Sequence, residues 1–259
     1  MDETVATIER IVRSPHRVRI LRQLSLEPTT FEGLNGDLAA ASRTTKRALE
    51  LLKAEGWVSE SASEYRLTTV GTVFANCVLS CLNEAETILT LKPFLEQISP
   101  NQEYIDVELL LESNIEVVTQ QLGTPYAPIE RTIELLSSAT TIRTLAPVIA
   151  SVYADQYYRL ITASGTNATT VLTPEVADYI RTESTTEMNH VLDTGNVEAF
   201  VCENDLPFGL LIVDDSVAMG AYDEYGTMRV LLVSDSVTVR EWAMSTFERY
   251  KENSTSFEL

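Results

Sequence analysis

A short run of basic and hydroxyl side chains, Ser42 to Arg47, is the part of the sequence best suited to contacts with a partner molecule. Arginine and lysine can donate hydrogen bonds to guanine O6 and N7, and threonine can contact a thymine methyl group or a phosphate. Side chains of this kind at the start of an exposed helix are typical of a helix that enters the DNA major groove. The run therefore predicts DNA contacts by Ser42, Arg43, Thr44, Lys46 and Arg47.

The residues around this run indicate the elements that position it. Thr45, Leu49 and Leu52 recur at helical spacing and predict an inward face for a helix over about 43–55. Ser42 is the expected N-cap of that helix, and Gly56 is its expected stop. Three shorter helical patterns precede this helix, over about 4–13, 15–26 and 30–38. A two-stranded β-ribbon follows it, over about 58–67.

The charge is distributed unevenly along the chain. The formal net charge is −19, from 19 basic and 38 acidic residues. Residues 1–70 hold ten basic and ten acidic side chains, so residues 71–259 hold the other nine basic and 28 acidic ones and carry the whole excess. A near-neutral front and an acidic back indicate two domains, with any polyanionic partner bound by the front. Fifteen of the basic residues are arginine and four are lysine, and this acidic, lysine-poor composition resembles that of salt-loving archaeal proteins.

Further basic side chains of the front leave two interpretations open. Arg66 is the only cation of the predicted ribbon, whose turn at Ser61–Ser63 is flanked by Glu60 and Glu64. Arg66 is included among the predicted DNA contacts, although the acidic flanks make the ribbon tip a poor phosphate binder. The second helical pattern carries three arginines, Arg17, Arg19 and Arg22. Two interpretations of them stay open: contacts with DNA phosphates, or a solvated basic face.

The stretch from Thr72 to about Ile98 predicts helices that are interrupted near Asn83 and Pro93. It carries more apolar residues than one small domain can cover, which favours a dimer interface or a connecting helix. Cys77 and Cys81, one helical turn apart, are expected to be buried reduced thiols, with redox sensing as the minor alternative. The three cysteines and two histidines of the chain cannot form a zinc signature.

The back half alternates short β-rich runs with helical patterns, which predicts an α/β domain with a mixed sheet. A hairpin is expected near Asp214–Ser216. The predicted strands are 140–145, 169–172, 197–201, 209–213, 217–220 and 228–233. The predicted helices are 128–138, 147–163, 174–182, 185–194 and 236–252.

Signatures of catalysis and cofactor binding are missing from the sequence. Phospholipase D-type chemistry requires a His-x-Lys pair, but neither His16 nor His190 is followed by lysine at that spacing. Neither a P-loop nor a Gly-x-Gly-x-x-Gly motif occurs. The pairs Asp214-Asp215 and Asp223-Glu224 could bind a divalent ion, but in turns such carboxylates usually cap the backbone. We therefore expect no catalytic residues, no metal site and no cofactor.

A small-molecule effector could bind the back half. In open α/β sheets, ligands collect beyond the carboxyl ends of the strands. The residues expected there are Pro147, Thr173, Phe208, Tyr222 and Asp223. The structural alternative is that each of them serves a turn or the core.

The order of these motifs resembles a known family. Residues 15–71 resemble the winged helix-turn-helix of archaeal ArsR-like transcription regulators. The stretches that carry the resemblance are Ser14–Leu21, Gly56–Val58 and Tyr65–Thr68. The back half resembles the domain that follows it in FilR1-type regulators of haloarchaea. The matching stretches are Ala127–Arg131, Leu206–Leu210, Gly220–Asp223 and Phe247–Tyr250. The resemblance implies a dimeric regulator whose C-terminal domain, related in fold to phospholipase D-like sensor domains, could sense a metabolite.

The sequence as a whole predicts an α+β protein of two domains. An N-terminal winged helix-turn-helix over 1–71 and a helical linker or dimerisation segment over 72–100 precede an α/β mixed-sheet sensor domain over 101–259. The expected partners are double-stranded DNA, a second copy and a small-molecule effector, with no membrane association and a cytoplasmic location. Two rival interpretations remain: a protein-interaction module, and an enzyme acting on a small phosphorylated metabolite.

Overall fold

The computed structural model divides the chain into two compact units, Met1–Thr87 and Ile88–Leu259. It describes residues 2–37, 42–98, 109–110, 114–149, 165–183 and 195–257. It is an α+β structure whose second unit contains a large mixed sheet. Within the described residues, no helix combines the length and apolar character needed to cross a bilayer.

The helices of the first unit begin where the sequence offers helix-starting residues. The Asp2 side chain accepts a hydrogen bond from the Thr4 amide at 3.0 Å, and Pro15 occupies the first position of the second helix. Thr30 Oγ1 accepts a hydrogen bond from the Gly33 amide at 3.2 Å at the start of the third helix. The helices are α1 Glu3–Val12, α2 Pro15–Leu26, α3 Phe31–Asp37, α4 Ser42–Ala54 and α5 Thr69–Leu95, the last of which continues into the second unit.

Apolar side chains from α2, α3 and α4 form the core of the first unit, with Trp57 and Val58 beside them. The buried members include Ile20, Leu21, Leu24, Leu34, Leu49 and Leu52. The predicted inward face of α4 is confirmed, since Thr45, Leu49 and Leu52 are all buried.

A β-ribbon follows α4, as the sequence predicts. Strands β2 Val58–Ser61 and β3 Glu64–Leu67 pair antiparallel, and the two residues between them, Ala62 and Ser63, have φ of 54° and 68°. Two successive positive φ angles are typical of a type I′ hairpin turn. Strand β1 Thr29–Thr30, which the sequence pattern does not predict, pairs with β3 and makes a three-stranded sheet in the described part of this unit.

Helix α5 begins against the base of the ribbon. The Thr68 amide donates to the Trp57 carbonyl at 2.9 Å, and Thr68 Oγ1 donates to the Gly56 carbonyl at 2.7 Å. The Trp57 ring stacks on Phe74 with centroids 4.1 Å apart. At Gly71 the two backbones approach so closely that an added Cβ would lie 1.9 Å from the Trp57 carbonyl oxygen. Only glycine fits there.

Two predictions about α5 are wrong. The helix is continuous from Thr69 to Leu95 and contains Pro93, rather than being interrupted near Asn83 and Pro93. Asn83 is held within it, because its side-chain oxygen accepts from Arg22 at 3.0 Å and its carbonyl accepts from the Thr87 hydroxyl at 3.0 Å. Cys77 and Cys81 are exposed, not buried, because the face of α5 that packs on its own unit carries Ala75 and Val78 instead, while Cys202 is buried.

The second unit is built on an eight-stranded mixed sheet within the described residues. The strands are β4 Glu116–Thr119, β5 Thr141–Ala146, β6 Asn167–Leu172, β7 Val197–Cys202, β8 Gly209–Val213, β9 Ser216–Tyr222, β10 Met228–Ser234 and β11 Ser254–Ser256. Their order is β11-β7-β6-β5-β8-β9-β10-β4, with β5, β6 and β7 parallel and the other pairs antiparallel. The six predicted strands and the β8–β9 hairpin are confirmed, whereas the edge strands β4 and β11 were missed.

Three helices of the second unit match predicted positions: α6 Ala127–Leu136, α7 Pro174–Glu183 and α8 Val237–Glu252. The predicted helix over 185–194, which contains His190, lies outside the described residues, as does most of the one over 147–163. The core of the unit includes Phe94, Leu145, Val171, Leu210, Leu232 and Phe247.

Candidate nucleic-acid interface

Helix α4 separates its charged side chains from its buried ones. Thr45 is fully buried, as are its apolar neighbours on that face. The predicted DNA-contacting residues of this helix all lie on its exposed side; they are Ser42, Arg43, Thr44, Lys46 and Arg47. The first two turns of α4 therefore present three cations and two hydroxyl groups to solvent.

The three cations of this side have no partner among the side chains that the structure describes. Arg43, Lys46 and Arg47 form no hydrogen bond or ion pair with any residue that the structure describes. The last turn of α4 differs, because Lys53 Nζ lies 2.5 Å from Glu60 Oε2 of β2. Cations left unpaired can bind an external anion without first breaking an internal bond.

A hydrogen-bonded chain fixes α4 on the two preceding helices. Thr45 Oγ1 donates to Asn35 Oδ1 of α3 at 3.1 Å and lies 3.2 Å from His16 Nε2 of α2. Burial, together with the nearby charge of Arg19, lowers the pKa of His16 from 6.5. Helical spacing predicts the inward position of Thr45 but does not predict this network. A hydroxyl among the leucines of that face was the available signal, because a buried hydroxyl requires a partner.

The ribbon uses its charges internally. A hydrogen bond from Lys53 lowers the pKa of Glu60, and the bond with Glu60 raises the pKa of Lys53. Arg66, predicted to contact DNA, lies on β3 with its Nη2 atom 3.4 Å from Glu64 Oε2. Both partners of that pair are about half exposed, at 50% and 48%, so Arg66 can leave it at little energetic cost.

Two of the three α2 arginines also hold the unit together. Arg22 donates to the Asn83 side chain at 3.0 Å, and Arg17 donates to the Arg10 carbonyl. Arg10 itself pairs with Glu55 at 2.8 Å. These contacts favour an internal role for Arg17 and Arg22 over phosphate binding.

The five residues predicted for an effector lie at one edge of the sheet. The parallel strands β5, β6 and β7 have their carboxyl ends at this edge. Because β8 is antiparallel to β5, and β9 to β8, the start of β8 and the end of β9 reach the same edge. Those strand ends place Pro147, Thr173, Phe208, Tyr222 and Asp223 along it.

Individually, these residues have structural contacts. Phe208 is 1% exposed, and its ring lies 6.4 Å from Phe94 and 6.3 Å from Trp242. Thr173 Oγ1 accepts from the Val176 amide at 3.3 Å and so caps α7. The Tyr222 ring covers Gly209 of the neighbouring strand, where an added Cβ would lie 2.6 Å from the tyrosine oxygen.

Asp223 stabilises the turn between β9 and β10. Its carboxylate accepts from the Thr227 amide at 2.9 Å, the Tyr225 amide at 3.0 Å and Arg229 Nε at 2.7 Å. The Thr227 bond is the largest cause of the lowered pKa of Asp223.

Asp214 plays a similar part in the β8–β9 turn. Burial raises the pKa of Asp214, but hydrogen bonds from Thr140 and Thr141 outweigh that effect and lower it overall. Asp215 pairs with Arg240. Within the described residues, no cluster of three or more His, Cys, Asp or Glu side chains could hold a metal ion.

Family models match both parts of the chain. Residues 5–89 match the HVO_A0261 N-terminal domain, which includes α4 and the ribbon. Residues 125–253 match the middle domain of the methanogenesis regulatory protein FilR1. The chain resembles a regulatory protein. Residues 125–253 include the sheet edge at which the five predicted effector residues lie. Among curated proteins, none matches the sequence significantly.

Solved structures match at low identity. TrmBL2, described as an archaeal chromatin protein with a novel mode of DNA binding, is 14% identical, with 95% of this chain and 98% of that chain covered and a TM-score of 0.42. Two further structures match a shorter stretch of the chain. NucT from Helicobacter pylori is 14% identical, with 56% of this chain and 100% of that chain covered and a TM-score of 0.44. The phospholipase D family member Nuc from Salmonella typhimurium is 15% identical, with 57% of this chain and 100% of that chain covered and a TM-score of 0.43. Similarities this low do not bear on function.

Proposed function

We propose that the chain is a sequence-specific DNA-binding transcription regulator. Its first unit acts as a winged helix-turn-helix, with α4 as the recognition helix and β2–β3 as the wing. The observation that carries the proposal is the set of three cations, Arg43, Lys46 and Arg47, which have no partner among the described side chains and lie on the exposed side of a helix whose other side is buried. The regulatory protein matched by the second half supports the same function.

The exposed side chains of α4 are suited to reading bases. Arg43, Lys46 and Arg47 can donate to guanine O6 and N7, while Thr44 can contact a thymine methyl group. Ser42, at the helix start, is suited to a phosphate, since the first amides of a helix attract anions. Arg66 would add a phosphate contact from the wing. The fixed position of α4 on α2 and α3 favours specific over merely electrostatic binding.

The charge distribution restricts which part of the protein approaches DNA. Residues 71–259 carry 28 acidic and nine basic side chains, so they repel the phosphate backbone. Few of the cations in residues 1–70 are left unpaired, so phosphate attraction is modest and weakens further with salt. Specific base contacts and binding as a dimer would then supply most of the affinity.

A dimer is the arrangement that the first unit favours. Exposed apolar side chains lie on α1, where Val5 and Ile8 are 53% and 39% exposed, and on α5, where Val70 and Val73 are 67% and 69% exposed. Two copies would place two α4 helices in successive major grooves, with half-sites about 10 base pairs apart or a multiple of that distance.

The second unit is proposed as a sensor domain of phospholipase D-like fold that binds a small molecule at the sheet edge. Its support is the meeting of several strand ends at one edge, where α/β proteins commonly bind ligands. Pro147 remains a candidate contact at this edge, whereas Phe208, Thr173 and Asp223 serve the fold. Catalysis is not part of the proposal, because neither histidine belongs to a His-x-Lys pair.

The proposal is tested by replacing Arg47. DNA fragments recovered with the full chain define its site, and the affinity for that site is measured by fluorescence anisotropy at several salt concentrations. If Arg47 contacts a base, R47A should weaken the binding free energy by about 1–3 kcal/mol and relax the base preference at one position of the DNA site. K92A is the matched control, because Lys92 is an exposed cation that pairs with Glu96 at 3.5 Å in the second unit.

Two outcomes would contradict the proposal. The wild-type chain could recover no preferred site, or the triple variant R43A/K46A/R47A could bind the site as tightly as the wild type. Either result would favour a protein-interaction module.

A further inference from the structure

The longest uncharged run of the chain lies at the start of α5. Residues 67–83, which include the first fifteen residues of α5, contain no Asp, Glu, Lys or Arg, although charged residues make up 22% of the sequence. The segment contains both exposed cysteines, Cys77 and Cys81. Its neutrality therefore coincides with two accessible thiols on one helix.

The exposed thiols lie in a stripe distinct from the face that packs on the first unit. Gly71, Ala75 and Val78 are buried against that unit. Val70, Val73, Cys77 and Cys81, which we name the thiol stripe, follow one another at spacings of three, four and four residues. That spacing averages 3.67 residues per turn, so the stripe runs nearly straight along the helix. Its two valines are 67% and 69% exposed, so the stripe is apolar and uncovered.

We propose that the thiol stripe is a contact between two copies of the chain and that oxidation of Cys77 and Cys81 joins the copies by disulfide bonds. This inference rests on the dimer of the proposed function. It adds that the two cysteines at the dimer contact are a modification site for a peroxide-class oxidant.

Charge identifies the second copy as the occupant. Each chain carries a net charge of −19, so two copies repel one another over most of their surfaces. The thiol stripe is part of a neutral segment, where two identical faces meet without bringing like charges together. A charged partner such as DNA or an acidic peptide would gain no attraction there. An apolar face on a copy of itself buries valine and cysteine side chains on both sides.

Geometry favours a bond between chains over a bond within one helix. Residues four apart on a helix have Cβ atoms about 5–6 Å apart. A disulfide requires Cβ atoms about 3.5–4.5 Å apart, so Cys77 and Cys81 of one α5 cannot join without distorting the helix. A facing helix can bring a cysteine of the second copy within that distance.

The chemistry balances with hydrogen peroxide as the oxidant. One thiolate attacks the peroxide O–O bond and forms a sulfenic acid, releasing hydroxide, which leaves as water. The thiol of the other copy then displaces the sulfenic hydroxyl group, forming the S–S bond and a second water molecule. The two cysteines lose two electrons and two protons, and the peroxide takes up both.

Oxidation is expected to strengthen DNA binding at low protein concentration. A covalent dimer keeps its second recognition helix near the DNA after the first has bound, which raises the effective concentration. Half-saturation of a two-half-site DNA should then need roughly 10²-fold less protein after oxidation, if the reduced dimer is dissociated at the concentrations used.

The test treats the full chain with stoichiometric hydrogen peroxide and measures its mass by non-reducing electrophoresis. The wild type should yield a covalent dimer that dithiothreitol reverses, while C77S/C81S, which keeps the buried Cys202, should yield none. A matched control, C77S/C81S/N76C, places one thiol on the neighbouring exposed face of the same helix and should not cross-link at the same concentration.

Three results would overturn the inference: a wild type that loses its thiols but stays monomeric, a dimer that persists in C77S/C81S, or equal cross-linking by the N76C control. Its failure is distinguishable from failure of the proposed function. DNA binding by the reduced wild type tests the recognition helix alone, whereas cross-linking tests the thiol stripe alone. Site-specific DNA binding without cross-linking refutes only the inference, and cross-linking without DNA binding refutes only the regulator.

Discussion

Helix α4 of the first unit and the strand-end turns of the second unit use the same kinds of side chain in opposite ways. On α4, Arg43, Lys46 and Arg47 have no partner among the described residues. In the second unit, Arg131 pairs with Glu116 at 3.0 Å and Arg229 donates to Asp223 at 2.7 Å. The number of charges therefore does not identify a binding surface. The first unit is suited to an external anion because the three cations at the start of α4 have no partner among the described side chains, although the unit has no net positive charge.

Replacing Phe208 tests the structural side of this comparison most strongly. Because Phe208 is 1% exposed and packs between two aromatic rings, F208A should lower the free energy of unfolding by about 3–5 kcal/mol. Urea denaturation followed by circular dichroism measures the change. A variant as stable as the wild type would show that the sheet edge is less tightly packed than the structure has it, and would favour a ligand role for Phe208.

A smaller loss is expected when the hydroxyl that anchors α4 is removed. T45V keeps the shape of the side chain but leaves Asn35 and His16 without their shared partner, so stability should fall by about 1–3 kcal/mol. DNA affinity should fall as well, because α4 loses its fixed position. T44V, on the exposed side of the same helix, is the control for stability. If T45V unfolds like the wild type, the hydrogen-bonded chain does not hold the helix.

The carboxylate of Asp223 should make the second unit sensitive to acid. Its folded pKa is lowered from 3.8 by hydrogen bonds from Thr227, Tyr225 and Arg229. A lowered folded pKa means that its stabilisation is fully present above about pH 4 and is lost as the pH falls below that value. D223N should be less stable than the wild type at pH 7, and the difference should shrink between pH 4 and pH 2. If the stability difference between the two proteins stays constant over this pH range, Asp223 does not contribute to the acid sensitivity.

The smallest expected change is a gain of stability in the ribbon turn. Ala62 and Ser63 adopt positive φ, which is unfavourable for residues with a Cβ. S63G relieves about 1–2 kcal/mol of left-handed strain but gives back about 0.4–1 kcal/mol because glycine makes the unfolded chain more flexible. The free energy of unfolding should therefore rise by up to about 1 kcal/mol, while DNA affinity stays unchanged. Thermal denaturation checks the first part, and anisotropy checks the second. Reduced affinity would indicate that the turn contacts DNA.

Local patterns predicted the elements well, and contacts between distant residues account for most of what was missed. The inward face of α4 and the six central strands are encoded in neighbouring residues. Strand β11 is only Ser-Thr-Ser, and its identity depends on pairing with β7 far away in sequence. The apolar run of α5 predicted burial of Cys77 and Cys81, but periodicity alone does not say which of two apolar faces packs on the unit.

The candidate site followed the same division. Exposure of Arg43 and Lys46 could be predicted, since they alternate with buried positions on one helix. Whether they stay unpaired could not, because pairing depends on which carboxylates the fold brings near them, as it does for Lys53 and Glu60. The role of Asp223 became visible only with its turn, whose amides supply the hydrogen bonds.

The contact at Gly71 has a mechanical consequence. Since this residue touches the Trp57 carbonyl with no room for even a methyl group, the start of α5 cannot roll or slide without displacing Trp57. Trp57 follows shortly after the end of α4, and its amide donates a hydrogen bond at 3.0 Å to the carbonyl of Leu52 in the last turn of that helix. A rotation of α5 would therefore reach α4 through main-chain atoms rather than through adjustable side chains, and a larger residue at position 71 would force the two helices apart.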